Sequence, residues 1–265
     1  MSLPLRILLG FALSILMGYL GYQRRALTRS GWLGAVITGT AIFGFGGLAP
    51  GLLLIAFFVS SSLLTLYKES AKAEVAESFA KGGPRDLGQA LANGGVASVV
   101  AVLYGLAGEP PWLFAAFVVA IAEANADTWA TELGVLSPQP PRLITSGRIV
   151  APGASGGLTW LGTSAALGGA MLIGGLAAMF YGDWRLLSLG AIAGLLGSLL
   201  DSLLGATIQG IYFSERRGKE TERPIDRDGT PNLHVRGWTW MNNDVVNFLG
   251  TLTGAFIGLL AYPAR

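Results

Sequence analysis

Long apolar stretches, separated by short polar segments, recur along the whole chain. A helix of about 20 residues crosses ~30 Å of hydrocarbon. Stretches of roughly this length lie near residues 3–22, 32–48, 51–67, 87–108, 111–132, 157–181, 185–211 and 244–262. The second and third are short and meet at Gly-Gly-Leu-Ala-Pro (46–50), so one broken or re-entrant element, giving seven crossings, is the alternative. The pattern predicts an all-α, polytopic transmembrane bundle of eight spans and a single domain over 1–265.

Basic residues alternate between the loops of this layout. Fifteen of the 18 Lys and Arg residues fall in every second loop, and the other three are Arg6, Arg185 and Arg265. Lys and Arg concentrate in cytoplasmic loops. We therefore expect both termini to be non-cytoplasmic and the long polar loop 212–241 to be cytoplasmic. The first span lacks a small-residue cleavage site, which favours a retained anchor in a bacterial inner membrane or an equivalent membrane.

Composition narrows the chemistry. Hydrophobic residues make up 52% of the chain and charged residues 13%, which argues against a soluble globule. The 39 glycines suit closely packed membrane helices. With no cysteine and only His234, which we interpret as a solvated loop residue, thiol nucleophiles and His-rich metal centres are excluded. A net charge of +2 does not indicate nucleic acid.

The fifth span carries the clearest candidate site. Glu123 and Asp127 are one helical turn apart, and Asn125, Thr128 and Glu132 lie on adjacent faces. Two such carboxylates repel each other unless a cation or a proton lies between them. An oxygen-ligated divalent ion, commonly Mg²⁺ with a bound phosphate, resolves the repulsion. The alternative is a protonated or hydrogen-bonded structural pair.

Further polar residues occur in the last two spans. Asp201 lies deep in the seventh apolar run, and the eighth span begins with Asn243, Asp244 and Asn247. Both groups fall in the cytoplasmic half of the predicted layout, so one site shared with the fifth span is expected. Asp201 and Asp244 are candidate metal ligands, although Asp244 also suits a helix N-cap.

A glycine-rich linker precedes the sixth span. Its phosphate-binding candidates are Arg142, Arg148, Gly153, Ser155, Gly156 and Gly157. Glycines let backbone N–H groups surround an anion, and arginines add forked donors for phosphate oxygens. The linker lacks the lysine of a Walker A motif, and a simple turn before a helix is the alternative. A fourth group, predicted to contact substrate at the same mouth, comprises Lys68, Arg85, Gln89 and Asn93, with Arg85 alternatively a positive-inside anchor.

Acidic helices, a phosphate cradle and arginines at a cytoplasmic mouth indicate metal-assisted phosphoryl transfer to a lipid. A transporter or flippase for an anionic or isoprenoid-phosphate substrate is the main alternative. A cytidylyltransferase that releases pyrophosphate is another. The glycine stripes Gly250-Gly254-Gly258 and Gly190-Gly194 suit either packing within the bundle or a homodimer interface.

Several sequence motifs of this chain resemble those of a known family. ADTWATELGVLS, PRLITSGRIVAPGASGG, GSLLDSLLGATIQ and NNDVVN, with ALANGG upstream, resemble the integral-membrane family that includes transmembrane protein 19 and the phytyl-phosphate kinase of tocopherol synthesis. More remotely, the chain is similar to phytol kinase and dolichol kinase. The lysine of these remoter kinases before the glycine turn is Arg148 here, and their acidic residue within it is Ala154.

The resemblance implies phosphorylation of an isoprenyl monophosphate to its diphosphate, with CTP or another nucleoside triphosphate as donor and Mg²⁺ as cofactor. By position, it implies metal binding by Glu123 and Asp127, supported by Asn125, Thr128 and Glu132. Glu132 is a further candidate metal ligand, and Thr128 is a candidate contact to the nucleotide. The arginines and glycines of the linker would hold the nucleotide phosphates. Asp201 and Asp244 would complete the metal site or orient the acceptor phosphate. Asn243 and Asn247 are candidate contacts to the substrate.

Overall fold

Helices dominate the computed structural model, which describes residues 2–76, 79 and 83–262. The first four are α1 (Leu3–Gln23), α2 (Arg29–Ala41), α3 (Leu48–Leu66) and the short α4 (Glu69–Ala76); α2 continues as a π-helical turn, Ile42–Gly46. The others are α5 (Leu87–Leu106), α6 (Pro111–Gly134), α7 (Trp160–Tyr181), α8 (Arg185–Thr207) and α9 (Asn243–Ala261). Lys81 and Arg265, which entered the charge comparison, lie outside the described residues.

The predicted helical membrane bundle is confirmed. Within the described residues, seven helices are long and apolar enough to cross a membrane: α1, α3 and α5–α9. The remaining predicted span is α2 with its π turn. Its first turn lies against Arg85, as shown by Gly31, where an added Cβ would collide with the Arg85 carbonyl oxygen. At its other end, Phe45 lies against Gly105 of α5. This element therefore runs between the same two ends of the bundle as the longer helices.

The two ends of the bundle differ in their loops. One end carries the short connections, where Arg6 binds Glu109 (Nη1 to Oε1, 2.8 Å) and Arg185 binds Asp183. Tyr262 also contacts Asp183, so the last described residue lies at this end. The long polar segments meet at the opposite end, in agreement with the predicted alternation of loops.

Helix α6 is the centre of the bundle. Every residue from 113 to 126 on it is buried, and it packs against α3, α5, α7, α8 and α9. A helix that is apolar on all sides belongs in a core. Small residues allow the close approach: Gly258 of α9 faces Ala116, and Gly194 of α8 faces Ala122. Both glycine stripes noted in the sequence are thus used for packing within the chain.

Replacing Gly258 by alanine is expected to destabilise this contact. The added Cβ would lie 2.7 Å from Ala116 Cα and 2.8 Å from the Ala115 carbonyl oxygen, which are backbone atoms that cannot move alone. Overpacking of this kind costs about 1–3 kcal/mol, measurable as a lower melting temperature in detergent. Gly175→Ala is the matched control, since its nearest neighbour is 3.8 Å away. Equal melting temperatures for the two variants would contradict the packing assignment.

Two small sheets lie among the long polar segments. Strands β1 (Arg142–Leu143) and β2 (Gly157–Leu158) form an antiparallel hairpin. Strands β3 (Ile211–Ser214), β4 (Lys219–Thr221) and β5 (Leu233–Arg236) form a sheet of order β4-β3-β5 with a register shift at Ile211/Tyr212. The predicted cytoplasmic loop 212–241 is therefore a folded β segment.

The sixth and seventh spans are shorter than their apolar runs. Residues 157 and 158 are taken by β2, and Thr159 then caps α7 by accepting a hydrogen bond from the Gly162 N–H at 3.0 Å. At the other boundary, α8 ends at Thr207, because the following residues lead into β3. Both differences reflect sheet pairing, which hydrophobicity does not report.

Candidate active site

A cavity of about 750 Å³ lies at the loop-bearing end of the bundle. Helices α5, α6, α8 and α9 contribute walls, together with the glycine-rich linker and the β segment. Most of the residues predicted from sequence line it: Arg85, Gln89, Asn93, Asp127, Thr128, Glu132, Gly153, Ser155, Gly156, Gly157, Asp201, Asn243, Asp244 and Asn247. Folding thus brings four separate sequence motifs to one space.

Five predicted residues do not line the cavity, and Asn125 of α6 is one of them. Glu123 lies deeper in the core, and Lys68 is exposed beside the Tyr67 ring. Arg148 is exposed, and Arg142 donates from Nη1 to the Gly147 carbonyl at 2.9 Å, which closes the hairpin loop. Arg142 therefore stabilises the hairpin loop, and Arg148 lies exposed on it. Neither arginine lines the cavity beside Gly153, Gly156 and Gly157.

The acidic floor of the cavity is formed by α6 and α8. Asp127 and Asp201 both line it, and Asp201 is buried. With its amide oriented to satisfy its neighbours, Asn247 of α9 donates to Asp201 Oδ2 at 3.1 Å and to the Asn243 carbonyl at 3.1 Å. Within the described residues, no three Asp, Glu or His side chains converge as a ready-made metal site.

Glu123 occupies a tight space below this floor. It is 1% exposed, and neither carboxylate oxygen has a hydrogen-bond partner among the described residues. The space exists because its neighbours on α8 and α9 are glycines: a Cβ on Gly250 would lie 2.5 Å from Glu123 Oε1, and one on Gly197 would collide with its Cγ. The side chain is thus enclosed by small residues and separated from the cavity.

Asn125 and Thr128 make local bonds. Asn125 Nδ2 donates to the Gly169 carbonyl of α7 at 2.8 Å, and its Oδ1 accepts from Ser60 of α3 at 3.2 Å. Thr128 Oγ1 donates to the Ala124 carbonyl one turn back on α6. Asn125 therefore fixes α6 between α3 and α7.

Glu132 is held by a lysine that the sequence analysis did not assign. Lys72 Nζ donates to Glu132 Oε2 at 2.5 Å and to the carbonyls of Leu64 and Thr65 at 2.7 and 2.9 Å. Thr65 Oγ1 donates to the other carboxylate oxygen at 2.6 Å. Since both oxygens already have partners, a metal at Glu132 would compete with this buried ion pair.

The glycine-rich linker rests on the end of α8. Gly156 has φ +83°, and a Cβ there would lie 2.8 Å from the Ala206 nitrogen, so both conformation and space require glycine. Ser155 Oγ donates to Glu222 Oε1 at 2.8 Å, and Gln209 Nε2 donates to the same oxygen at 2.9 Å. Glu222 thus joins the linker to the β segment and itself lines the cavity, although it was not predicted from the sequence.

The β segment also supplies an arginine to the cavity wall. Arg227 lines the cavity, whereas Arg236 donates from Nη1 to the Gly205 and Ala206 carbonyls at the end of α8. Arg227 was not among the site residues predicted from the sequence. The signal available was the concentration of arginines from 216 to 236.

A buried aspartate holds the turn that carries Arg227. Ser214 Oγ donates to Asp226 Oδ2 at 2.6 Å, and Arg217 Nη2 lies 2.9 Å from its Oδ1. The Ser214 hydroxyl, followed by Asn232 and then the guanidinium groups of Arg217 and Arg216, holds the pKa of Asp226 below its ordinary value. Because the folded form favours the ionised carboxylate, this contribution to stability is lost as the pH falls through that lowered pKa.

Together, the bundle and its polar cavity define a multi-pass helical membrane protein with a site at one end. The chain belongs to the DUF92 family of integral membrane proteins, whose family model matches residues 12–255. The family resemblance seen in the sequence motifs is thereby confirmed.

Three relatives are similar along most of this chain. It is 34% identical to Protein PGR of Arabidopsis thaliana, over 97% of this chain and 96% of that protein. It is 32% identical to an uncharacterized membrane protein of Methanocaldococcus jannaschii, over 91% and 87%. Protein VTE6, chloroplastic, of Arabidopsis thaliana is 27% identical, over 88% of this chain and 65% of that protein. No solved structure matches the chain.

Proposed function

We propose that the chain is a membrane-embedded kinase that phosphorylates an isoprenyl monophosphate, such as phytyl phosphate, to the diphosphate. The observation that carries the proposal is the polar cavity, where the carboxylates of Asp127 and Asp201 share one space with a glycine-rich linker and arginines. The motifs that resemble the family of phytyl-phosphate kinase, together with membership in the DUF92 family, support the same reaction class.

The carboxylate oxygens of the cavity are suitable ligands for Mg²⁺. Mg²⁺ prefers oxygen ligands and is commonly held by one or two carboxylates together with substrate phosphates and water. Asp127 and Asp201 are the residues that would hold it, with Asp244 at the same wall. When bound, the ion neutralises charge on the phosphates. The lack of a three-carboxylate cluster among the described residues fits an ion that arrives with its nucleotide.

The remaining cavity residues divide between two substrates. The linker at Gly153–Gly157 and Arg227 lie on the side of the β segment and would bind the phosphates of CTP or another nucleoside triphosphate. Arg85, Gln89 and Asn93, at the start of α5, would bind the acceptor phosphate, with Asn243 and Asn247 between the two. An acceptor phosphate oxygen bonds to the terminal phosphorus, and the bond to the departing nucleoside diphosphate breaks. A phosphate nucleophile is already ionised, so the reaction needs little base catalysis.

The site would face the cytoplasm. Cytoplasmic loops are enriched in Lys and Arg, and the basic segments that border the cavity supply that enrichment. Nucleoside triphosphates are available on that side. In a bacterium this orientation corresponds to the inner membrane.

A product assay tests the reaction. Purified protein in nanodiscs receives Mg²⁺, one nucleoside triphosphate at a time, and phytyl or geranylgeranyl monophosphate. The expected result is lipid diphosphate with an equal amount of nucleoside diphosphate. Pyrophosphate release would indicate a cytidylyltransferase, and the absence of any nucleotide consumption would favour the transporter or flippase; either result contradicts the kinase.

Arg227→Gln is expected to raise the KM for the nucleotide about tenfold, because a charged hydrogen bond to phosphate contributes roughly 1.5–3 kcal/mol. Arg148→Gln is the matched comparison, since Arg148 is exposed and does not line the cavity. Initial rates at varied nucleotide concentration give both KM values. A larger KM increase for Arg148→Gln than for Arg227→Gln would instead support nucleotide binding by the linker arginines predicted from sequence.

A further inference from the structure

A narrow apolar groove adjoins the polar cavity. It has a volume of about 80 Å³ and lies between α1, α2, α3 and α5. Its apolar walls include Met17, Ala35, Phe43, Leu54, Ile55 and Phe58. Two hydroxyls in the wall are satisfied within their own helices, since Ser14 donates to the Gly10 carbonyl and Thr38 to the Gly34 carbonyl. The groove therefore offers a hydrocarbon surface.

The groove and the cavity meet at three polar residues. Arg85, Gln89 and Asn93 line both spaces. The π turn at the end of α2 contributes to the apolar side, because it brings the Phe43 ring against Gly51 of α3 and into the groove wall. A ligand with a polar head and an apolar chain can thus occupy both spaces at once.

Arg85 gives this junction its charge. Its guanidinium lies 5.8 Å from the centre of the Phe57 ring and 6.0 Å from that of Phe58. Its side-chain hydrogen bond is a long one to Ser62 Oγ, 3.4 Å, and within the described part of the chain it forms no ion pair. Glu132, across the cavity, is the carboxylate that acts on it electrostatically, beyond ion-pair distance. A partly buried cation that contacts aromatic rings and has no carboxylate in direct contact among the described residues is complementary to an anionic head group.

We propose that this groove binds the hydrocarbon chain of the acceptor lipid while its phosphate lies at Arg85, Gln89 and Asn93. The inference rests on the proposed function and adds the position and direction of the acceptor. The exposed leucines of α1, such as Leu13 and Leu16, face the lipid phase, so the rest of a long chain continues into the bilayer. An isoprenyl chain then extends away from the nucleotide side of the cavity.

Blocking the groove tests this position. Ala35→Trp fills the groove from α2, and Ile37→Trp, on the same helix, is the matched control because Ile37 is 48% exposed and lies outside the groove. For Ala35→Trp we expect the KM for geranylgeranyl monophosphate to rise tenfold or more, and that for methyl phosphate, which has no isoprene unit, to change less than twofold. Each buried methylene contributes about 0.8 kcal/mol, so a tenfold increase in KM requires only that two methylenes of the chain are no longer buried. Equal effects on both acceptors, or on both variants, would overturn the proposal.

Photocrosslinking supplies a second readout that needs no turnover. Geranylgeranyl monophosphate with a diazirine in its first isoprene units is irradiated with the protein in nanodiscs, without nucleotide, and the labelled residues are mapped by mass spectrometry. We expect labels on Met17, Leu54 or Phe58, and fewer in Ala35→Trp. Labels confined to other helices would overturn the groove while leaving the kinase proposal intact. Labels in the groove without nucleotide consumption in the product assay would instead contradict the kinase alone.

Discussion

Asp127→Asn is expected to lower kcat for phosphoryl transfer by about 10³-fold, because stabilisation of transition-state charge by a bound metal ion contributes several kcal/mol. Asparagine has nearly the same shape, and Asp127 forms part of the cavity wall. The fold should therefore be retained. The measurement is kcat in the product assay, together with the melting temperature of the same preparation.

Asp183→Asn provides the control at the other end of the bundle. Asp183 loses the same charge, but it binds Arg185 and Tyr262 far from the cavity. Its kcat should equal that of the unmodified protein. If Asp127→Asn also retained full turnover with its melting temperature unchanged, Asp127 would not be a metal ligand.

Lys72→Met is expected to reduce the free energy of unfolding by about 1–3 kcal/mol, because it removes the charged hydrogen-bond partner of the half-buried Glu132 carboxylate. The Lys72 side chain is 8% exposed and that of Glu132 is 19% exposed. Methionine keeps the apolar stem but leaves the Glu132 carboxylate without its cation. Thermal unfolding in detergent measures the loss.

The double variant Lys72→Met/Glu132→Gln separates a structural pair from a metal ligand. Removing both charges should restore most of the lost stability, and turnover should recover with it. A stable double variant that remains inactive would support the original interpretation of Glu132 as a metal ligand. A double variant as unstable as Lys72→Met would contradict the ion pair as the source of the loss.

The helical layout was predictable because a membrane span must satisfy its backbone hydrogen bonds internally over a fixed thickness. The long apolar runs therefore became helices with boundaries close to those expected. The π turn after Ala41 was not predictable, since it depends on the packing of Phe43 against Gly51. The sheet in 211–236 was missed for a similar reason: its strands are short and pair across turns, without a long alternating pattern.

The cavity floor was predictable because ionisable residues inside spans are costly and cluster at functional sites. Asp127, Asp201 and Asn247 accordingly meet. How deep each acidic side chain lies relative to the cavity floor was harder to predict. Glu123 lies on the same helical stripe as Asp127, but four residues along a helix correspond to about 6 Å, which places Glu123 below the floor. Lys72 and Arg227 were missed because only tertiary folding brings them to the site.

The central position of α6 has a consequence for the order in which the protein is made. Helices α7, α8 and α9 are synthesised after α6, yet they supply much of its surroundings, and Gly197 and Gly250 complete the enclosure of Glu123. A nascent chain that has inserted α6 but not yet α7–α9 therefore carries Glu123 and Asp127 without their final neighbours.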